Sequence, residues 1–178
     1  AINAALTGHL VLSTLHTNSA AGAVPRLLDI GVESFLLVST LDVVIAQRLV
    51  RRLHTVHERR TLTASELAKL AKAVDLDRVL ALLREEKVVK PTDTWETIPF
   101  AQPKPSPDIP DGYKGRVGIH EVIKMTPTIK EFVMKGATAE QIETEAKRVG
   151  MHTMLEDGIF KAAQGVTTIE EVLRVVSE

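Results

Sequence analysis

The stretch LTGHLVLSTLHTN, residues 6–18, has the pattern of one buried strand with a polar end. A short apolar run that opens at Thr7-Gly8 and closes at polar residues is typical of a strand in an α/β sheet. Sheets of this class bind ligands where their strands end. The sequence therefore predicts an α/β fold with a candidate site around the last residues of this stretch.

Three polar side chains, those of His16, Thr17 and Asn18, lie at the predicted strand end. A neutral imidazole, a hydroxyl and an amide can contact a phosphate or orient a water molecule. A histidine at such a place can equally satisfy a backbone group in a loop. Taken by themselves, these residues leave both interpretations open.

The composition is that of an ordinary globular protein, with 178 residues, 44% hydrophobic and 25% charged. This length suits one or two small domains. The net charge of −1 gives no basic surface for nucleic acid, and we expect no nucleic-acid partner. Cysteine is absent, which excludes disulfides and thiolate metal sites. No apolar run approaches the roughly 18 residues that a membrane span needs.

Longer strings that contain or follow the first stretch show what it belongs to. ALTGHLVLSTLHTNSAAGAVPRLLDIGVESFLL, followed by AQRLVRRL, resembles the histidine-box region of the type II secretion and type IV pilus assembly ATPases. YKGRVGIHEVI and GMHTMLEDGIFKAAQGVTTIEEVLRVV resemble the closing subdomain of the same proteins. The resemblance implies the C-terminal part of a RecA-like ATPase core followed by a mainly helical subdomain.

The resemblance also implies roles for individual residues. His9 and His16 correspond to histidine-box residues with catalytic roles, and His16 is better placed to sense the γ-phosphate or orient the attacking water. Thr17, Asn18 and Arg48 are the implied nucleotide-binding residues, with ATP and magnesium as cofactors of the parent chain. An arginine near a helix C-terminus can instead complement the helix dipole, and Arg48 carries that alternative.

A phosphate-binding loop of the form Gly-x-x-x-x-Gly-Lys-Ser/Thr does not occur in the sequence. In the resembled family this loop precedes the histidine box, so we expect a C-terminal fragment that is inactive alone. The implied parent is a cytoplasmic homo-hexamer that meets an inner-membrane platform protein. The alternative is a non-catalytic docking or regulatory module of the same machinery. A retraction-type pilus motor fits less well, because the long insertion suits the assembly branch.

The resemblance divides the chain at residues 53 and 112. Residues 1–53 would belong to the ATPase core, 54–112 would be a helical insertion with a proline-rich linker, and 113–178 would form the helical subdomain. Patterning predicts helices over 19–31 and 33–53, a helical region over 63–87 that breaks near Asp75, and an extended path over 90–112. A strand or hairpin over 113–125 and four helices complete the prediction.

Local capping residues support these helices. Ser19 is the predicted cap of the first, and capping boxes are predicted at Thr63 with Glu66 and at Thr168 with Glu171. Trp95 and Phe100 are predicted to anchor the proline-rich stretch on the folded body, with docking to a partner as the alternative.

Assembly-type relatives carry two Cys-x-x-Cys pairs that bind zinc, and the resemblance places His54 and His57 at the first pair. Pro105 and Asp108 stand at the second pair, which leaves at most three ligands where a structural zinc needs four. We therefore expect no bound metal. Arg116 and Glu121, in the string resembling the family, are expected to pair between subunits or domains.

Overall fold

The computed structural model describes residues 1–55 and 57–177. Its mixture of helices and strands confirms the predicted α/β class. Within the described residues the elements are, in order, α1 (Ile2–Leu6), α2 (Ala20–Asp29), α3 (Ser34–Thr40), β1 (Val43–Leu53), β2 (His57–Arg60), α4 (Ala64–Ala73), α5 (Leu76–Glu85), β3 (Phe100–Pro103), β4 (Tyr113–Lys124), α6 (Pro127–Met134), α7 (Ala139–Arg148), α8 (Met154–Ala163) and α9 (Ile169–Ser177).

The chain divides into two compact units, each assembled from segments that are distant in sequence. The first unit contains residues 1–47 and 120–153, and the second contains 48–119 and 154–178. Helices α6 and α7 thus belong to the first unit, whereas α8 and α9 belong to the second. The three consecutive domains expected from the resemblance stay a prediction.

The first unit is built around the buried faces of α2, α3, α6 and α7. Ser19 caps α2 as predicted, because its hydroxyl accepts a hydrogen bond from the Gly22 N–H at 3.1 Å. The helix turns small and β-branched residues inward. The core of the first unit consists of Ala20, Ala21, Val24, Leu37, Ile123, Met125, Ile129, Val133, Ile142, Ala146 and Met151.

Strand β1 overturns the prediction of one helix over residues 33–53. The helix α3 ends at Thr40, and β1 then pairs with β4 in a two-stranded sheet. Exposed and more buried residues alternate along β1, which is the period of a strand. The β-branched run Val43-Val44-Ile45 favours that conformation, and the pairing with β4 decides it. Apolar spacing alone does not separate a buried strand from a helix.

The predicted strand near the N-terminus is also absent from the described residues. Residues 9–17 have no regular secondary structure, and Leu10 and Leu12 are 90% and 88% exposed. A strand needs a neighbour to take up its backbone N–H and C=O groups. The strand pairs found in residues 1–55 and 57–177 are β1 with β4 and β2 with β3, and neither involves this stretch.

The second unit contains the insertion, which includes α4, α5 and the strands β2 and β3. Thr63 and Glu66 form the predicted capping box at α4, and Asp75 caps α5 where the break was predicted. Strand β3, within the proline-rich segment, pairs antiparallel with β2. The prolines of this segment exclude a helix, as expected, but they permit an edge strand.

Two aromatic residues anchor the proline-rich segment on the body of the second unit, as predicted. Trp95 and Phe100 are 6% and 0% exposed, and their rings stack with centroids 6.3 Å apart. The Trp95 indole N–H donates to the Leu76 carbonyl at 3.2 Å, so its polar atom is satisfied. These contacts favour intramolecular packing over docking to a partner.

Helices α8 and α9 pack so closely that only glycine fits at their contact. A Cβ atom added at Gly158 of α8 would lie 2.3 Å from Val172 Cγ1 of α9. Both residues are buried, so neither helix can relieve the overlap by turning a side chain to solvent. The contact fixes how these two helices approach each other.

Gly158→Ala should lower the free energy of unfolding by about 2 kcal/mol, because overpacking outweighs the gain in helix propensity. Chemical denaturation measures this change. Val172→Ala removes the opposing methyl groups, so the double variant should be less destabilised than the sum of the two single variants. Additive effects would contradict the packing described. Ser65→Ala, on the exposed surface of α4, serves as the control.

Candidate functional site

The candidate site begins with His9, in the turn after α1. Its Nδ1 atom lies 3.1 Å from Thr7 Oγ1 and 3.2 Å from the Ala4 carbonyl oxygen. The side chain is exposed, and Gly8 before it has the positive φ of a helix-ending residue. Local hydrogen bonds therefore orient His9 at the surface of the first unit.

His16, Thr17 and Asn18 lead directly into the N-terminus of α2. All three are exposed. The Thr17 hydroxyl donates to the Ser19 carbonyl at 3.1 Å, which turns the chain into the helix. A helix N-terminus carries partial positive charge and favours anionic groups. An imidazole, a hydroxyl and an amide at this place are suited to contact a phosphate or to orient a water molecule.

Arg48 lies in β1, in the second unit, and is partly buried. The alternative that it complements a helix C-terminus does not apply, because the residue belongs to a strand. A guanidinium can bind two phosphate oxygens at once, and that capacity does not depend on the type of element. Its assignment as a nucleotide-binding residue stays a prediction, as do those of His9, His16, Thr17 and Asn18.

The chain contains only some of the residues that would bind the ATP expected from the resemblance. The side chains of residues 16–18 suit the terminal phosphate, because they are polar, exposed and next to a helix N-terminus. The cradle of backbone N–H groups and a lysine that holds a triphosphate requires a glycine-rich string that is not in the sequence. The residues present therefore fit the reacting end of a nucleotide and not its whole length.

Glu121 of β4 has an intramolecular partner, contrary to the pairing between subunits or domains expected from the sequence. Its side chain is 7% exposed and accepts a hydrogen bond from the Ala20 N–H in the first turn of α2. Arg116, on the same strand, is exposed. No local pattern indicates this contact, because its two residues are 101 positions apart.

A second buried carboxylate, that of Glu171, joins α9 to β1 in the second unit. It accepts hydrogen bonds from the Arg51 backbone N–H at 3.0 Å and the Arg51 guanidinium at 2.8 Å. The Arg174 guanidinium donates two more, at 3.1 and 2.8 Å. Arg51 also lies 4.2 Å from the centre of the Tyr113 ring, and the Tyr113 hydroxyl contacts Thr168 at 3.0 Å.

The contacts of Glu171 with Arg51 and Arg174 hold the fold together. Burial opposes ionisation of Glu171, but the hydrogen bonds from Arg174 and Arg51 outweigh it and hold the pKa at about 2. Burial raises the pKa of Tyr113, so its hydroxyl stays protonated at neutral pH. The sequence indicated Glu171 only as a helix-capping residue, and the Thr168 hydroxyl does accept the Glu171 N–H at 3.2 Å.

Glu171 should stabilise the fold above pH 4.5 and lose that contribution as the pH falls towards 2. Its pKa is lower in the folded chain than in the unfolded chain, so protonation favours unfolding. The difference corresponds to about 3 kcal/mol. Glu171→Gln should therefore flatten the pH dependence of the unfolding free energy across this window. Glu85→Gln, at an exposed position, should keep the wild-type dependence, and an unchanged curve for Glu171→Gln would contradict the assignment.

His54 and His57 stand at the first pair of zinc positions that the resemblance implies. His57 Nδ1 lies 3.3 Å from the His54 carbonyl oxygen, a contact within the loop between β1 and β2. Across residues 1–55 and 57–177, no group of three or more His, Cys, Asp or Glu residues could hold a metal ion. The apolar core under α4, α5 and β3 can stabilise the insertion without one.

Dialysis against EDTA should leave the thermal unfolding midpoint unchanged, because hydrophobic contacts and not a metal hold the insertion together. Differential scanning fluorimetry before and after dialysis measures this. A lower midpoint that zinc chloride restores would contradict the expectation. Leu70→Ala in the insertion core supplies the positive control, since it should lower the midpoint with or without EDTA.

No helix among the described residues is long and apolar enough to cross a membrane. The surface of the first unit does expose several large apolar side chains. They are Leu6, Leu10, Leu12, Ile30, Phe35, Val43, Ile45, Val122, Met134 and Val149.

Comparisons with known proteins agree with the resemblance. The chain is 44% identical to the type II secretion system protein E of Xanthomonas campestris over 100% of its length. It is 40% identical to the type IV pilus assembly ATPase PilB of Myxococcus xanthus over 97% of its length. It is 38% identical to the PilB of Pseudomonas aeruginosa over 100% of its length.

The chain spans less than a third of each of these relatives, covering 29%, 28% and 28% of their lengths. The profile of the family described as Type II/IV secretion system protein matches residues 1–174. The match includes the candidate site, the insertion and the first six residues of α9. The chain therefore belongs to the Type II/IV secretion system protein family.

Proposed function

We propose that this chain is part of a cytoplasmic ATPase that powers type IV pilus assembly or type II protein secretion by hydrolysing ATP. The observation that carries the proposal is the family match over residues 1–174, together with relatives named as a type II secretion protein and pilus assembly ATPases. The working form would be a homo-hexamer on the inner membrane, held there by a platform protein. ATP and magnesium would be its cofactors.

The proposed catalytic residues are His16 and His9. His16 would orient the attacking water or sense the γ-phosphate, since its imidazole stands just before the N-terminus of α2. His9 would assist from the turn after α1. Their exposure leaves both imidazoles accessible to a nucleotide.

The proposed nucleotide-binding residues are Thr17, Asn18 and Arg48. A hydroxyl, an amide and a guanidinium all donate hydrogen bonds to phosphate oxygens. When bound, ATP with magnesium supplies the phosphoryl bond that is broken and part of the charge neutralisation that breaking it requires. Without a phosphate-binding loop in its 178 residues, the chain alone should not hydrolyse ATP.

The second candidate is a non-catalytic docking or regulatory module of the same machinery. The missing phosphate-binding loop is the observation that favours it. The two candidates differ in one measurable property, because only the first predicts ATP hydrolysis by the full-length protein that includes this chain. The same measurement can also assign roles to the histidines.

In the full-length protein, His16→Ala should lower kcat for ATP hydrolysis by about 100-fold, as is typical for loss of a group that acts on the attacking water. KM for ATP should change by less than about twofold, because the triphosphate is held elsewhere. His57→Ala, a histidine of the insertion, is the control and should leave both constants unchanged. A normal kcat for His16→Ala would contradict the role of His16, and an inactive wild type would favour the docking module.

A further inference from the structure

The carboxylate of Glu121 contacts the first turn of α2. It is buried in the first unit, 7% exposed, and its Oε1 atom accepts the Ala20 N–H at 2.5 Å. A buried carboxylate is costly unless donors compensate for its lost hydration. The Ala20 N–H is among the first N–H groups of α2, which have no acceptor inside the helix.

The first turn of α2 is thus held by two acceptors of different origin. Ser19 takes up the Gly22 N–H from within the turn, and Glu121 takes up the Ala20 N–H from β4. A negative charge at this end also complements the helix dipole. Ala20 and Ala21 are 0% and 1% exposed, so the turn is packed on its inner side as well.

The residues before α2 are packed against this same turn. A Cβ atom at Gly22 would lie 2.9 Å from Thr17 Oγ1 and 3.1 Å from Ser19 Oγ. The Thr17 hydroxyl therefore lies in the space that a Cβ atom at position 22 would occupy. Its hydrogen bond to the Ser19 carbonyl closes the loop between them. Movement of the first turn therefore changes the contacts of Thr17.

From these contacts we infer that Glu121 is a positioning residue for the segment His16-Thr17-Asn18. It acts through the N-terminus of α2, and it touches no reacting atom. The inference rests on the proposed function in so far as residues 16–18 act on ATP. It extends the site to a strand that the sequence does not connect with the histidine box.

Hydrogen–deuterium exchange on the full-length protein tests the structural half of the inference. Glu121→Ala should speed exchange in the peptide covering residues 16–22 by about tenfold, because a buried N–H loses its charged acceptor. Glu121→Gln keeps an acceptor oxygen and should restore most of the protection. Glu145→Ala is the matched control, since Glu145 is 8% exposed in the same unit and pairs with Arg148.

Kinetics test the functional half. Glu121→Ala should lower kcat for ATP hydrolysis by about tenfold with KM for ATP within about twofold, because misplacement of the segment impairs the chemical step more than binding. Glu121→Gln should be close to wild type, and Glu145→Ala should change neither constant. A loss of overall stability without misplacement would not produce this split between kcat and KM at a temperature where all variants are folded.

A second variant keeps the test independent of the buried charge. Gly22→Ala places a methyl group against Thr17 and leaves Glu121 intact, so it should lower kcat in the same way even if Glu121→Ala fails to fold. Wild-type exchange over 16–22 in Glu121→Ala, or wild-type kcat in both Glu121→Ala and Gly22→Ala, would overturn the inference. If the wild-type protein does not hydrolyse ATP, the proposed function fails, and exchange alone decides whether Glu121 positions the segment.

Discussion

The pairing of β1 with β4 is the contact on which the other features of this chain depend. Backbone hydrogen bonds mark its two ends, from Met125 N–H to the Asp42 carbonyl and from His54 N–H to the Gly112 carbonyl, each 2.9 Å long. The first pair places residue 125 beside 42 and the second places 112 beside 54, so the strands run antiparallel. The insertion therefore leaves the sheet at the end of β1 and returns at the start of β4.

Because β1 and β4 pair, the long insertion between them adds little to the entropic cost of folding. Closing a longer loop adds only a small entropic penalty once its ends are fixed. The insertion then shares one apolar core with α8 and α9, to which it contributes α4, α5, β3 and the stacked pair Trp95 and Phe100. An apolar core of this kind serves the purpose that a metal serves in zinc-stabilised insertions.

Buried carboxylates connect segments that are distant in the sequence. Glu121 joins β4 to α2, Glu171 joins α9 to β1, and Glu156 of α8 pairs with Arg78 of α5 at 3.0 Å. Each is at most 7% exposed. Replacing a buried ion pair by apolar residues often costs nothing, so the ion pairs of Glu171 and Glu156 add more to the specificity of their contacts than to net stability. A wrong register would leave each charge buried without its donors.

The sequence by itself determined the family, the α/β class, the caps of α2 and α4, the break before α5, and the inward packing of Trp95 and Phe100. Those properties follow from local patterns, since capping residues and turn residues act within a few positions. The tertiary structure decided that residues 43–53 form a strand, that residues 9–17 have no strand partner among the described residues, and that Glu121 faces α2. Sheet pairing and buried charge both depend on a partner far along the chain, and periodicity does not name that partner.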